Sequence, residues 1–248
     1  TAHAARAANA VSDYSFKLPP VEVAAGLHDA RLRTFIASTP KTIILTNHHE
    51  PEEEIERGDF TAAEFRAATA RLNQLVDVQN VLDGGTRRVS VVLMGGTFTG
   101  FRQRNPANYW PKDPVTGLNQ ADLIAVDAFA VPSATNTAGV PAGYTDGMRW
   151  KQPAALLAPV VRFAAANLTQ WGVSEFGYLE DVNDPTRKAQ AITDAVAYAR
   201  AKGAVMFEYF DSAGPRGDWQ LRYNNPPVPS TSAKSNAVRA WKAVLAAQ

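Results

Sequence analysis

The chain has 248 residues, 46% of them hydrophobic and 20% charged, with a formal net charge of +1 and no cysteine. That length holds one large domain over 1–248; α/β barrels commonly take roughly 200 to 400 residues. The near-zero charge argues against a nucleic-acid or membrane-surface binder. The missing cysteines exclude disulfides, thiolate zinc sites and a cysteine nucleophile, and no apolar run is long enough to span a membrane.

In chain order, Tyr14 to Leu18 (YSFKL) reads as a short strand closed by Pro19-Pro20. A helix follows within Val21 to Ser38, where Leu32, Phe35 and Ile36 have inward spacing; Leu27 falls off that stripe, so the helix is expected to begin after Gly26. Thr42 to Asn47 is a buried strand, cut off by Thr46, Asn47, His48, His49, Glu50 and then Pro51, which cannot donate to a sheet ladder. Asp59 is the expected N-cap of a helix to about Val81, with Phe65, Ala68, Leu72, Leu75 and Val76 on one face.

Val89 to Met94 is the next strand, and Phe98 to Leu118 a long loop carrying Tyr109 and Trp110. Leu123 to Phe129 is a buried strand with Asp127 near its end, and Ser133 to Gly147 a polar loop. Ala154 to Leu168 is amphipathic, with Leu156, Leu157, Val160, Val161 and Ala164 facing in. Trp171 to Phe176 is a short strand running into Ser174-Glu175-Phe176-Gly177, with Trp171 in the core. Asp184-Pro185-Thr186 opens a helix to Ala201, ended by Gly203, and Ala204 to Phe210 is a strand. Asn224 to Ser230 is a rigid proline-rich loop, and Ala233 to Ala246 a closing helix with Val238, Trp241, Val244 and Leu245 inside.

Strands alternating with helices imply a parallel sheet covered by helices. Barrel and open sheet fit this periodicity equally well, and the glycine loops of nucleotide folds, GxGxxG and GxxxxGK[ST], are absent. In parallel α/β folds ligands bind at the C-terminal ends of the strands. The chemistry-bearing residues there are Asn47, His48, His49, Glu50, Asp127, Glu175, Glu208 and Asp211. Glu50 and Glu175 each leave a strand near a turn. Glycosidic hydrolysis needs two such carboxyl groups, one protonated to donate to the leaving oxygen and one ionised to attack carbon or activate water. Tyr109, Trp110, Trp150, Tyr178, Tyr209 and Trp219 lie in or near loops at that end, and flat aromatic rings suit the apolar faces of sugars.

Each signal also has a plainer explanation. Glu50 opens the acidic run Glu50, Glu52, Glu53, Glu54, which solvation alone explains. His48 and His49 are neighbours on a strand and point to opposite faces, so the pair does not readily grip one metal. The phrase TNHHE is similar to the Asn-His-(Asp/Glu) motif of metallophosphoesterases, but the companion Asp-x-His is missing.

Taken together, His49-Glu50-Pro51, Asp122 to Phe129, Ser174 to Gly177 and Tyr209-Phe210-Asp211 with Trp219 beyond make the chain resemble clan A glycoside hydrolases, most closely glycoside hydrolase family 26 and its mannanase-like relatives. The resemblance covers the chain from about Tyr14 onward. It implies a (β/α)8 TIM barrel and a retaining mechanism without cofactor or metal, with Glu50 as acid/base and Glu175 as nucleophile. It further implies that His49 orients these carboxylates, and that Asn47, Asp127, Phe129, Tyr178, Tyr209 and Trp219 line the substrate site. In the family the acid/base glutamate follows strand four, whereas one strand is expected here before Lys41. The fold is therefore expected to be a barrel lacking its first one or two βα units. The expected activity is β-glycosidic cleavage of a polysaccharide or oligosaccharide, endo-β-mannanase-like, in a secreted protein. The non-enzymatic alternative is a carbohydrate-binding protein on a degenerate barrel, and a metallohydrolase using His48 and His49 is a third.

Overall fold

The computed structural model describes residues 12–130, 151–179, 184, 186–214, 217–218, 221 and 233–246. The expected loops over 133–147 and 224–230, and the aromatics Trp150 and Trp219, lie outside the described residues. The elements run β1 (Ser12–Phe16), α1 (Pro20–Ala24), α2 (Asp29–Ser38), β2 (Ile43–Asn47), α3 (Glu52–Arg57), α4 (Ala62–Asp83) and β3 (Arg88–Met94). Then come three 3₁₀ turns, β4 (Leu123–Ala130), α5 (Pro153–Ala166), β5 (Gln170–Tyr178), α6 (Arg187–Ala201), β6 (Phe207–Tyr209), a hairpin of two-residue strands β7 (Ala213–Gly214) and β8 (Gly217–Asp218), and α7 (Ala233–Ala246).

Six strands form one sheet in sequential order, β1 to β6, and β1–β2, β2–β3 and β5–β6 pair in parallel. Sequential parallel pairing with intervening helices is the pattern of the TIM-type (β/α) barrel, here with six strands among the described residues. The chain divides into two compact units, Thr1–Ala125 with Arg162–Trp171, and Val126–Val161 with Gly172–Gln248.

In the first unit every residue of β2 is buried. Ile43 and Leu45, which share one face of the strand, join one buried cluster with Val23, Leu32, Ile36, Ala68, Leu72, Leu75, Val76 and Val89. Each fully buried aliphatic side chain contributes about 1.5–3 kcal/mol over exposure, so this cluster fixes where β2 ends. α2 begins after Gly26 as expected; Leu27 is 72% exposed, and a short α1 opening at Pro20 precedes it.

The N-cap of α4 differs from the expectation. Thr61, not Asp59, caps the helix: its hydroxyl accepts from Glu64 N at 3.1 Å while Glu64 Oε2 accepts from Thr61 N at 2.6 Å. That reciprocal pair satisfies two otherwise orphaned donors. Asp59 instead pairs with Arg57 at 2.8 Å. Glu50 lies in the turn, while the acids after Pro51, which solvation alone explains in the sequence, open the helix α3. A proline at its N-cap, acids in its first turn, Arg57 in its last and left-handed Gly58 at its end all suit a helix.

In the second unit β5 runs two residues beyond the expected end, and β6 is only three residues long. Trp171 is buried as expected, on the first-unit stretch of β5. Gly172 is required by a close approach, since a Cβ there would stand 2.5 Å from Met206 Cγ. α6 buries Ile192, Ala195, Val196 and Ala199. On α7 Val244 is buried but Leu245, expected inside, is 48% exposed. Trp241 is half-buried, its ring 6.2 Å from Phe207 and 5.7 Å from Tyr209.

Candidate active site

Among the described residues the first unit assembles one polar cluster where β2 ends. Asn47 is buried, and its amide is used on the chain leaving β1: Oδ1 accepts from Leu18 N at 3.0 Å and Nδ2 donates to Leu18 O at 3.4 Å. His48 turns the chain with φ +56°, and its N–H donates to Phe16 O at 2.8 Å. Its ring is held from both sides, Nε2 by Leu18 O at 2.8 Å and Nδ1 by Glu54 Oε2 at 3.1 Å, and stands edge-on to Phe60. Glu54 also accepts from Lys17 at 2.9 Å. His49 Nδ1 lies 2.9 Å from Ser15 Oγ. Burial first, then the Lys17 charge, lowers the His49 pKa and favours the neutral imidazole. The two imidazoles face different partners, but both lie in the turn beyond β2 rather than on the strand, so strand alternation is not what separates them.

Glu50 follows with φ +52°, its N–H donating to Val92 O at 3.1 Å. Left-handed backbone at a residue with a long side chain is costly and collects at functional sites. Of the other glutamates in the run, Glu52 is fully buried and Glu54 is committed to Lys17 and His48, while Glu50 is half-buried. Glu52 Oε1 accepts from Met94 N at 2.8 Å and Thr97 Oγ1 at 2.5 Å, and its pKa is raised, chiefly by burial.

In the second unit Asp127 is buried and Phe129 half-buried. Lying two apart on β4 they share a face; Phe129 stands edge-on to Phe210, centroids 5.4 Å apart. Glu175 lies inside β5 rather than at its end. β5 pairs with β6 at Val173↔Phe207 and Phe176↔Tyr209, so β5 spends one extra residue between these pairs. Ser174 and Glu175 form that bulge, and bulges re-aim side chains beside active sites. Glu175 is half-buried, and burial raises its pKa. Tyr178 is fully buried, its hydroxyl donating to Lys151 O at 2.6 Å. Tyr209 is half-buried among Phe176, Trp241 and the Lys188 ammonium.

Two aromatics expected at the loops are core instead. Tyr109 is 5% and Trp110 3% exposed, with Trp110 edge-on to Phe163 and its Nε1 donating to Asn119 Oδ1 at 2.9 Å. Sequence reading did not single out Ser15, Lys17 or Glu52. The Pro51-to-Gly58 helix signature was the available signal for Glu52; only the β1–β2 pairing brings Ser15 and Lys17 near the site.

No family model matches the sequence, and neither does any curated protein. Among solved structures it is similar to a Bacteroidetes-affiliated GH5 cellulase, at 13% identity over 90% of this chain and 64% of that one, TM-score 0.50. It is likewise similar to a Cellulomonas fimi endo-β-1,4-mannanase double mutant, at 17% identity, 93% and 54% coverage, TM-score 0.50. A third is XacCel5A in complex with cellopentaose, at 11% identity, 92% and 72% coverage, TM-score 0.55. The chain shares their fold. It spans 64% and 54% of the length of the first two.

Proposed function

We propose that this chain is a retaining glycoside hydrolase acting on a β-linked polysaccharide, with Glu50 as acid/base and Glu175 as nucleophile. The observation that carries the reading is the fold shared with cellulases and a mannanase, combined with a glutamate in a left-handed turn after β2 and another in a bulge of β5. In this reading Glu175 attacks the anomeric carbon while Glu50 protonates the leaving oxygen. Glu50, then ionised, takes a proton from the water that releases the sugar. His49, kept neutral by burial and Lys17, adds no positive charge beside Glu50 and so leaves its proton-transfer role undisturbed. Phe129, Tyr209, Trp219 and Asp127 supply the sugar contacts in this reading. Asn47 and Tyr178, fully engaged in the interior, enter as supports of the strand ends rather than as sugar contacts. The finer assignment is an endo-acting mannanase-like enzyme of the family 26 type, and a polymeric substrate puts its action outside the cell.

The test is a polysaccharide screen of the parent beside Glu175→Gln, reading new reducing ends. Release by the parent with loss of orders of magnitude in the variant is expected. Equal release by both rejects Glu175 as nucleophile. Binding of a glycan without release by either would favour a carbohydrate-binding protein.

A further inference from the structure

We propose that Glu52 is a positioning residue for Glu50, clamping the Glu50-Pro51 turn onto the exit of β3. The inference rests on the reading of Glu50 as acid/base. Glu52 is fully buried, so it does not meet a polymeric substrate, yet it is an acid where an apolar residue would bury more cheaply. Its Oε1 takes two donors, Met94 N and Thr97 Oγ1, and Oε2 has no hydrogen-bond partner among the described residues. Two residues earlier, Glu50 N donates to Val92 O. Val92 and Met94 are alternate residues of β3, so Glu50 and Glu52 grip the same strand on either side of buried Pro51.

That arrangement explains how Glu50 keeps φ +52°. Strained backbone persists only where its surroundings over-determine it. The His48 bonds hold the start of the turn to β1, while the Glu50 N–H holds its end to β3 at a single point. The second grip at Glu52, two donors deep and shielded from water, removes the freedom to pivot about that point and fixes the direction of the Glu50 side chain. Arg104, buried and paired with Glu56 at 2.5 Å, closes the far end of the same helix. A catalytic carboxyl must be held closely, since displacement of about 1 Å costs on the order of 10²-fold in rate.

The experiment compares Glu52→Gln, Glu52→Ala and Thr97→Val with the parent on the glycan found above, and on an aryl glycoside whose leaving group needs no protonation. Gln keeps an oxygen for both donors, so Glu52→Gln is expected to stay within a few-fold of the parent. Glu52→Ala is expected to lose about 10²-fold in kcat/KM on the glycan and much less in kcat/KM on the aryl glycoside, because kcat/KM reports the first step, where acid assistance is what fails. Thr97→Val removes one of the two donors at nearly constant shape and is expected to lose roughly tenfold in the same pattern, which decides the matter if Glu52→Ala does not fold. Full kcat/KM on the glycan in a folded Glu52→Ala or in Thr97→Val, or equal losses of kcat/KM on both substrates, overturns the proposal. Glu50→Gln run in parallel separates the two readings. If it is fully active, the acid/base reading fails. If it is inactive while the clamp variants are normal, only the clamp fails.

Discussion

Asp13→Asn tests whether the buried polar line across the first three strands carries a pH-dependent penalty. Asp13 lies on β1, 3.4 Å from Thr46 Oγ1, which in turn meets Ser90 Oγ at 2.6 Å. Burial raises its pKa from 3.8 to about 6, against smaller opposing hydrogen bonds from Thr46 and the Tyr14 backbone. The folded-state value lies above the unfolded one, so the folded chain holds this proton more tightly. The stability it contributes is complete below pH 3.8 and is lost as pH rises through about 6. A gap of about 2.2 pH units at 1.36 kcal/mol each is about 3 kcal/mol, an upper bound because the group is not fully enclosed. Asn keeps the shape and an acceptor for Thr46 without the charge. The variant is therefore expected to be more stable than the parent at pH 8, by up to about 3 kcal/mol. Its stability should also change less than the parent's between pH 4 and pH 7. Urea unfolding of both chains at pH 4, 6 and 8 reads this directly. Parallel pH profiles, or a less stable variant at pH 8, would refute the assignment.

Two further outcomes follow from the same geometry. Because burial raises the Glu175 pKa, its ionised form is lost as pH falls through that raised value, so the acid limb of kcat/KM should lie above the ordinary 4.5; a limb at or below 4.5 would remove Glu175 from the ionised role. Thr61→Ala should cost about 1 kcal/mol in urea unfolding, while Asp59→Ala should stay within about 0.5 kcal/mol, and the reverse order would return the cap to Asp59.

The elements legible in the sequence are those whose own periodicity carries the signal. β2 announces itself by contiguous β-branched residues, and α4 by the Phe65–Leu72–Val76 stripe, all buried. What escaped depends on partners distant in sequence. Phe98 to Leu118 has no period, so the burial of Tyr109 and Trp110 is not legible in it; Trp110 is seated by Phe163 and Asn119. The β5 bulge is a property of pairing with β6, and no stretch of β5 read alone shows that Glu175 occupies an extra position. For α3 the signal is present in Pro51, Glu52 to Glu54 and Gly58, but solvation explains an acidic run equally well. The catalytic candidates were thus legible as residue types near strand ends, while the turn and the bulge that orient them were not.

The turn after β2 offers a direct measure of that hidden geometry. His48 and Glu50 both have left-handed φ, at about 1–2 kcal/mol each for a residue with a Cβ. Backbone bonds to Phe16 O and Val92 O offset this at about 0.5–1.5 kcal/mol each, which leaves little margin. The His48 ring, seated between Leu18 O and Glu54, must supply the rest. His48→Ala and His48→Gly both delete that ring, but only Gly also removes the Cβ penalty. Ordinarily Gly is the worse choice because it frees the unfolded chain. At φ +56° the order should invert, with His48→Gly more stable than His48→Ala by about 1 kcal/mol and both less stable than the parent. Urea unfolding of the three chains side by side checks this. If Ala proved as stable as Gly, the backbone after β2 would not be strained in the folded chain, and the case for a turn held in place from β1 and β3 would fail with it.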